Sequence, residues 1–420
     1  MAFLLDKPEP GDFGRRGPKR LWTVYPVPVI SWAWWEGYEL LQEPDAADLL
    51  ALYHAFRDAL LWASTDPMER DGLFDPARCY EIEPGHPAAE PLSVLFNITS
   101  ESARGDEARA ATACEAISAW AGTVGMDAVE YLFAYLAARV SPGSHERAFA
   151  AGRAARRQGR FRDAEAFFRR TIALSRRVGD DAGYANGYIG WAIMEEKRGN
   201  LVYARRRFVS AWRAAKRGGL PELGAATRHN MIALALAERN FDEGQRHIAS
   251  AYRLYGRKNQ QLFRLANDAG GFWSTFGYYS VALPLFEAAL PSVTRPVERA
   301  AILANICRAA AGLSKKDQYL EAWTECTKLD RDMGDSMPDI YMELCRGAQT
   351  LGYRKQAREL AIRAIASSEA RRYEGKAAMA RELLAAVQAG EHREDAVDPP
   401  AELEAFAARF LKALREMRPR

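Results

Sequence analysis

Small side chains recur along this chain at a fixed distance from alanines and bulky apolar residues, and that rhythm restricts the fold more than any other feature. The triplets are Gly152/Ala164/Phe168, Ala192/Ala204/Phe208, Ile232/Gly244/Ile248, Gly270/Ala282/Phe286, Ala304/Lys316/Leu320 and Cys345/Ala357/Ala361. Their central residues lie 40, 40, 38, 34 and 41 positions apart. Two antiparallel helices explain the pattern. A small residue midway along the first lets the second approach, the alanine reciprocates, and the bulky residue one turn later fills the gap between successive pairs. One such pair cannot bury its apolar stripe alone, so pairs must stack, and a period of this length identifies a helical solenoid. Arrays of this kind present a long surface instead of enclosing a catalytic pocket.

The rest of the chain is organised around that array. Residues 1–43 form an arm rich in Gly, Pro and aromatics, with Trp32, Trp34 and Trp35 after a Pro-Val-Pro-Val stretch. The tryptophans are expected to cover an apolar end of the array. Residues 44–143 read as an irregular helical region: one helix from Pro44-Asp45, a proline-broken stretch to Thr99, then helices near 106–121 and 126–140. From 144 to 390 the pattern predicts about six helix pairs, with Gly- or Asn-containing turns such as Gly199-Asn200 and Ala311-Gly312. A polar linker, 391–400, leads to a last amphipathic helix, 401–420, expected to close the end of the stack.

The unit with Tyr188, Trp191, Ala192, Gly199, Ala204 and Phe208, and the unit with Gly270, Trp273, Gly277, Tyr279, Ala282 and Phe286, resemble the tetratricopeptide repeat family. The resemblance covers about 144–388; it departs at Glu195, where an aromatic is usual, and at Ile232 and Lys316, and its period is longer than the family's. It implies an all-α fold, a right-handed α-α superhelical solenoid of antiparallel helix pairs, acting as a scaffold or adaptor for protein partners.

In that family the first helices of the pairs line the concave face. Residues six before, three before and one after each small residue share one side of a helix. These stripes, continued by one turn, hold Arg153, Arg157, Asn186, His229, Arg264, Asn267, Asn305, Arg308 and Arg346. Amide side chains bond a peptide backbone without reading its sequence, and Arg forks fit carboxylates. The expected partner is therefore a protein or peptide segment, acidic in character; a solvated helix face is the competing reading. A regulatory sensor is the alternative function: its solenoid would bind a small ligand or signalling peptide and control a transcription factor or nucleic-acid partner, as in some bacterial repeat proteins.

Charge is uneven. Residues 151–220 carry 17 Lys/Arg against 6 Asp/Glu, a local +11 in a chain of net +3. Much of this lies on second helices, at Arg169-Arg170, Arg176-Arg177, Arg205-Arg206-Arg207 and Lys216-Arg217. No DNA- or RNA-reading motif accompanies the block, so nucleic acid is the disfavoured partner. Chemistry is equally sparse. The six histidines are scattered, Gly183, Gly187 and Gly190 have the wrong spacing for a phosphate loop, and Glu195-Glu196 diverge on a helix. Neither an enzyme nor a cofactor is expected. The five cysteines show no paired spacing and read as buried apolar residues of a protein in a reducing compartment. With no long apolar run and only a short apolar patch at the N-terminus, a membrane span is not expected and the cytoplasm is the expected location.

Overall fold

The structure is a computed structural model that describes residues 46–64, 85–100, 106–329, 336–390 and 396–417. The N-terminal arm with its tryptophans, Asp45 and Cys79 lie outside the described residues. All regular structure among the described residues is helical, and the chain divides into two compact units, 1–174 and 175–420.

The first unit holds α1 (Ala46–Ser64), α2 (Ala89–Ser100), α3 (Glu107–Val124), α4 (Asp127–Val140), α5 (His145–Arg157) and most of α6 (Phe161–Val178). Helix α4 is its centre, packing on α1, α3 and α5. The Phe56 and Phe133 rings meet edge to face at 5.9 Å where α1 crosses α4. The proline-rich stretch is less broken than the sequence suggests. Pro91 falls in the first turn of α2, where a missing backbone N–H leaves no hydrogen bond unmade. Between α5 and α6 the small-residue rule is explicit: a Cβ on Gly152 would lie 2.8 Å from the Phe168 ring.

The second unit is a stack of helix pairs. They are α7 (Asp181–Lys197) with α8 (Leu201–Arg217), α9 (Pro221–Ala237) with α10 (Phe241–Tyr255) and α11 (Gln261–Thr275) with α12 (Tyr279–Ala289). Then come α13 (Pro296–Gly312) with α14 (Lys316–Lys328), α15 (Met337–Thr350) with α16 (Arg354–Ala370), the unpaired α17 (Glu374–Ala389) and α18 (Ala401–Glu416). Asp180 caps α7 by accepting from the backbone N–H groups of Ala182 and Gly183, both at 2.9 Å.

Each turn between the helices of a pair is the same left-handed closure. Its positive-φ residue is Gly159, Gly199, Arg239, Gly277, Ser314 and Gly352 in turn. The next residue's N–H reaches back five residues, as from Asn200 to Glu195 (2.8 Å) and from Lys315 to Ala310 (2.8 Å). These turns correct the register of the fifth pair. Lys316 and Leu320 are exposed, whereas Tyr319, Ala322 and Cys326 face inward. Counted from Ser314 as the other pairs count from their turns, Tyr319 takes the alanine position and Cys307, twelve residues earlier, the small one. The Cys307 thiol donates to the Tyr319 carbonyl at 3.8 Å, as the Cys345 thiol does to Ala357 at 3.1 Å. The central residues then become 164, 204, 244, 282, 319 and 357, spaced 40, 40, 38, 37 and 38. Gly312, expected in the turn, is instead helical, and a Cβ there would strike the Tyr279 ring at 2.4 Å.

Two features of the second unit lie beyond pairwise stacking. Helix α18 does not close the end of the array. It folds back on α12 and α11, its Phe406 ring 5.5 Å from Tyr252 and 6.2 Å from Trp273, with Phe410 fully buried. The stack also coils onto itself. The Lys197 ammonium at the end of α7 sits 4.3 Å over the Tyr373 ring just before α17, and a Cβ on Gly375 would lie 3.3 Å from the Gly199 Cα. First helices pack against the first helix of the next pair from α7 to α17, whereas second helices meet more sparsely, through long side chains such as Arg205 on Glu243. The spacing is tighter on the first-helix side, so the coil curves with the first helices inside.

Candidate functional site: the seam of first helices

Along the inner side of the second unit, polar side chains reach from one first helix to the next. His229 on α9 bonds the Asp268 carboxylate on α11 through Nε2 at 2.7 Å, and its Nδ1 lies 3.4 Å from the Tyr255 hydroxyl. Asn267 donates to Asp268 at 3.1 Å, and Asn305 on α13 donates to the Asn267 oxygen at 2.9 Å. Arg308 on α13 donates to Glu343 on α15 at 2.8 Å and to the Thr275 hydroxyl at 3.3 Å. Arg346 donates to the other oxygen of Glu343 at 2.5 Å. Lys376 on α17 pairs with Asp339 on α15.

The electrostatics follow from these contacts. Burial pushes the Glu343 carboxyl upward, but the charges and hydrogen bonds of Arg308 and Arg346 outweigh it and hold the group below the usual carboxylate range. Burial likewise raises Asp268, and the hydrogen bond and charge of His229, with Arg264 and Asn267, reverse the shift and lower it. Burial pushes the Tyr255 hydroxyl up to about 12, so it stays protonated beside His229.

The seam therefore corrects the picture of a cationic groove. Arg308, with 2% of its side chain exposed, and Arg346 are committed to Glu343, and His229 to Asp268. In the first unit Arg157 is likewise held by Glu130 at 2.6 Å, and Arg153 lies 5.9 Å over the Phe149 ring. Both residues belong to the first unit. What remains accessible is a different set. Arg264 is 61% exposed and touches Glu298 only at 3.9 Å. Asn186 on α7 makes no side-chain hydrogen bond among the described residues. Asn267 and Asn305 each retain donor or acceptor capacity beyond the bond they share, since an amide offers two donors and two lone pairs. Gly271 leaves this part of the seam open, for a Cβ there would meet nothing nearer than Asn305 at 3.8 Å.

The sequence missed the acids. Glu343 and Asp339 each meet a cation one repeat away, at separations of 35 and 37 residues, and Asp268 meets His229 at 39; that spacing was the available signal. No cluster of three or more His, Cys, Asp or Glu suited to a metal ion occurs among the described residues, and no described helix is long and apolar enough to cross a membrane. Cys114, Cys307, Cys326 and Cys345 are buried free thiols.

No family model and no curated protein matches the chain. Among solved structures it is similar to a signal-transduction ATPase with numerous domains, bearing a tetratricopeptide repeat sensor, from Pyrococcus horikoshii. The identity is 13% over 92% of this chain and 68% of that one, with a TM-score of 0.40. It is also similar to the Cut9–Hcn1 hetero-tetramer of the APC/C, at 12% identity over 90% of this chain and 87% of that one, with a TM-score of 0.31. The all-α repeat fold stands on this chain's own helix pairing.

Proposed function

We propose that the second unit is a protein-interaction scaffold that holds an extended peptide segment along the seam of its first helices. The observation that carries this reading is the Asn267–Asn305 amide pair beside the exposed Arg264, with Gly271 leaving the space above it open. Amides there can bond a peptide backbone in either direction, and Arg264 supplies one fork for a carboxylate. The acidic character expected of the partner shrinks to that single contact, because the other seam cations are already neutralised.

Selection of a displayed random-peptide library on the full chain tests the reading. Peptides should be enriched on the native protein and lost on an Arg264→Glu, Asn267→Ala, Asn305→Ala variant of unchanged helicity. Equal enrichment on both proteins would refute the seam as the binding surface. The contact between α7 and α17 supports a second reading, a sensor whose coil opens or tightens with a ligand. In that case a Lys197→Ala, Tyr373→Ala variant should scatter X-rays as a more extended particle; an unchanged profile counts against it.

A further inference from the structure

Whereas the cations of the seam are paired, the opposite side of the stack leaves several arginines without an acid. Helix α8 carries six Lys/Arg and no Asp or Glu. Four of its cations are engaged: Arg205 by Glu238 and Glu243, Arg217 by Asp181, Arg207 over the Trp191 ring at 3.8 Å and, more loosely, Arg206 over the Tyr203 ring at 5.9 Å. Arg206 and Arg213 are exposed and have no acidic partner among the described residues. The same two positions, 40 residues on, are Arg246 and Arg253 of α10, again exposed and without an acidic partner. Arg257 and Lys258 are exposed in the turn that follows α10.

These four arginines form a grid. Within each helix they stand seven residues apart, two turns or about 10 Å, on one stripe. The Arg205–Glu243 pair ties α8 to α10, so the two stripes run side by side. Neighbouring like charges repel, and the arrangement is destabilising until an anion is present. Beside the grid, Val202 and Tyr203 are 64% and 56% exposed.

We propose that the outer face of α8 and α10 docks an acidic α-helix of a partner protein, with carboxylates at seven-residue intervals. Such a helix places its acids about 10 Å apart on one stripe, matching each row of arginines, and guanidinium forks take carboxylates in pairs. Its apolar flank would cover Val202 and Tyr203. A nucleic-acid backbone fits less well. It carries a charge about every 3.4 Å along a duplex strand, finer than this grid, and its phosphates have no use for the exposed valine.

The test is fluorescence anisotropy with the full chain and a labelled synthetic helix of about 20 residues bearing glutamates at seven-residue intervals. Arg206→Glu, Arg213→Glu, Arg246→Glu and Arg253→Glu combined should weaken binding at least about tenfold at about 0.1 M salt. The peptide's glutamine counterpart should not bind. Should that variant lose helicity, Arg206→Gln with Arg246→Gln gives the same reading at smaller amplitude. The proposal is overturned if the native chain ignores the acidic helix or binds it equally after substitution. It also falls if single- or double-stranded oligonucleotides of equal charge bind more tightly. Seam variants leave this face intact, so its failure and that of the seam are separable.

Discussion

Replacing Glu343 by glutamine should destabilise the second unit more than any other single change on its inner face. Glu343 bridges Arg308 and Arg346, and Arg308 is almost wholly buried. Deleting one partner of a buried ion pair costs about 3–5 kcal/mol, because the remaining charge is stranded. Here Glu343 keeps 19% of its side chain exposed and the amide still accepts from Arg308, so screening lowers the expected loss to about 2–3 kcal/mol. For a unit of this size each kcal/mol moves Tm by about 2–4 °C, so calorimetry should show a fall of about 4–12 °C. Arg308→Met combined with Glu343→Leu should recover part of it, since the buried Arg308 charge is then gone and only Arg346, with 20% of its side chain exposed, loses its acid. The acid dependence carries a second signature. The folded carboxyl titrates below its usual range, so its stabilisation is present above about pH 4.3 and is lost as pH falls through the folded value. Glu343→Gln should therefore lose less stability between about pH 5 and pH 3 than the native chain. A neutral Glu343→Gln, or a double variant worse than the sum of its singles, would refute the reasoning.

Three further outcomes follow from the same packing. Gly270→Ala should cost about 1–3 kcal/mol by overpacking, because its Cβ would lie 2.5 Å from the buried Phe286 ring. Its neighbour Gly271→Ala should be neutral or stabilising by up to about 1 kcal/mol, and denaturant titration of the two variants separates them. Ser314→Gly should stabilise by about 0.5–1 kcal/mol by relieving φ 59 at the fifth turn, whereas a loss would put the left-handed residue elsewhere. His247 is pushed below its usual value by burial and by Arg228, which outweigh Glu243. Its neutral form belongs to the folded chain, so stability is present above about pH 6.5 and declines as pH drops toward the folded value. His247→Gln should flatten melting temperature between about pH 7 and pH 5, and an unchanged slope would contradict this.

The repeat was legible in the sequence because its physics is local. Gly152, Gly270 and their twelve-residue partners have to be small for two helices to meet, and that spacing survives in a bare string of letters. The fifth pair was misplaced by three residues because Ala304 offered an equally small residue. The thiol at Cys307, matching Cys345, marks the true position. The amphipathic stripe of 401–416 shows that the helix must pack, but Leu403, Phe406 and Phe410 do not encode where, and they land on Tyr252 and Trp273. The meeting of Lys197 with Tyr373 depends on small rotations summed over five pairs, which no local pattern records. In the seam the sequence placed Asn267 and Asn305 on corresponding stripes of successive first helices, and the two amides are hydrogen-bonded. It misread Arg308 and Arg346 as available because their neutraliser, Glu343, sits on a helix face that cation spacing alone does not reveal.

The central claim is that the inner seam of first helices holds the partner. Hydrogen exchange of the full chain, with and without a peptide enriched by selection, measures it directly. Slowed exchange should concentrate in α9, α11 and α13 around His229, Arg264, Asn267 and Asn305. Protection confined to the first unit, or to the outer helices α8 and α10, would contradict it.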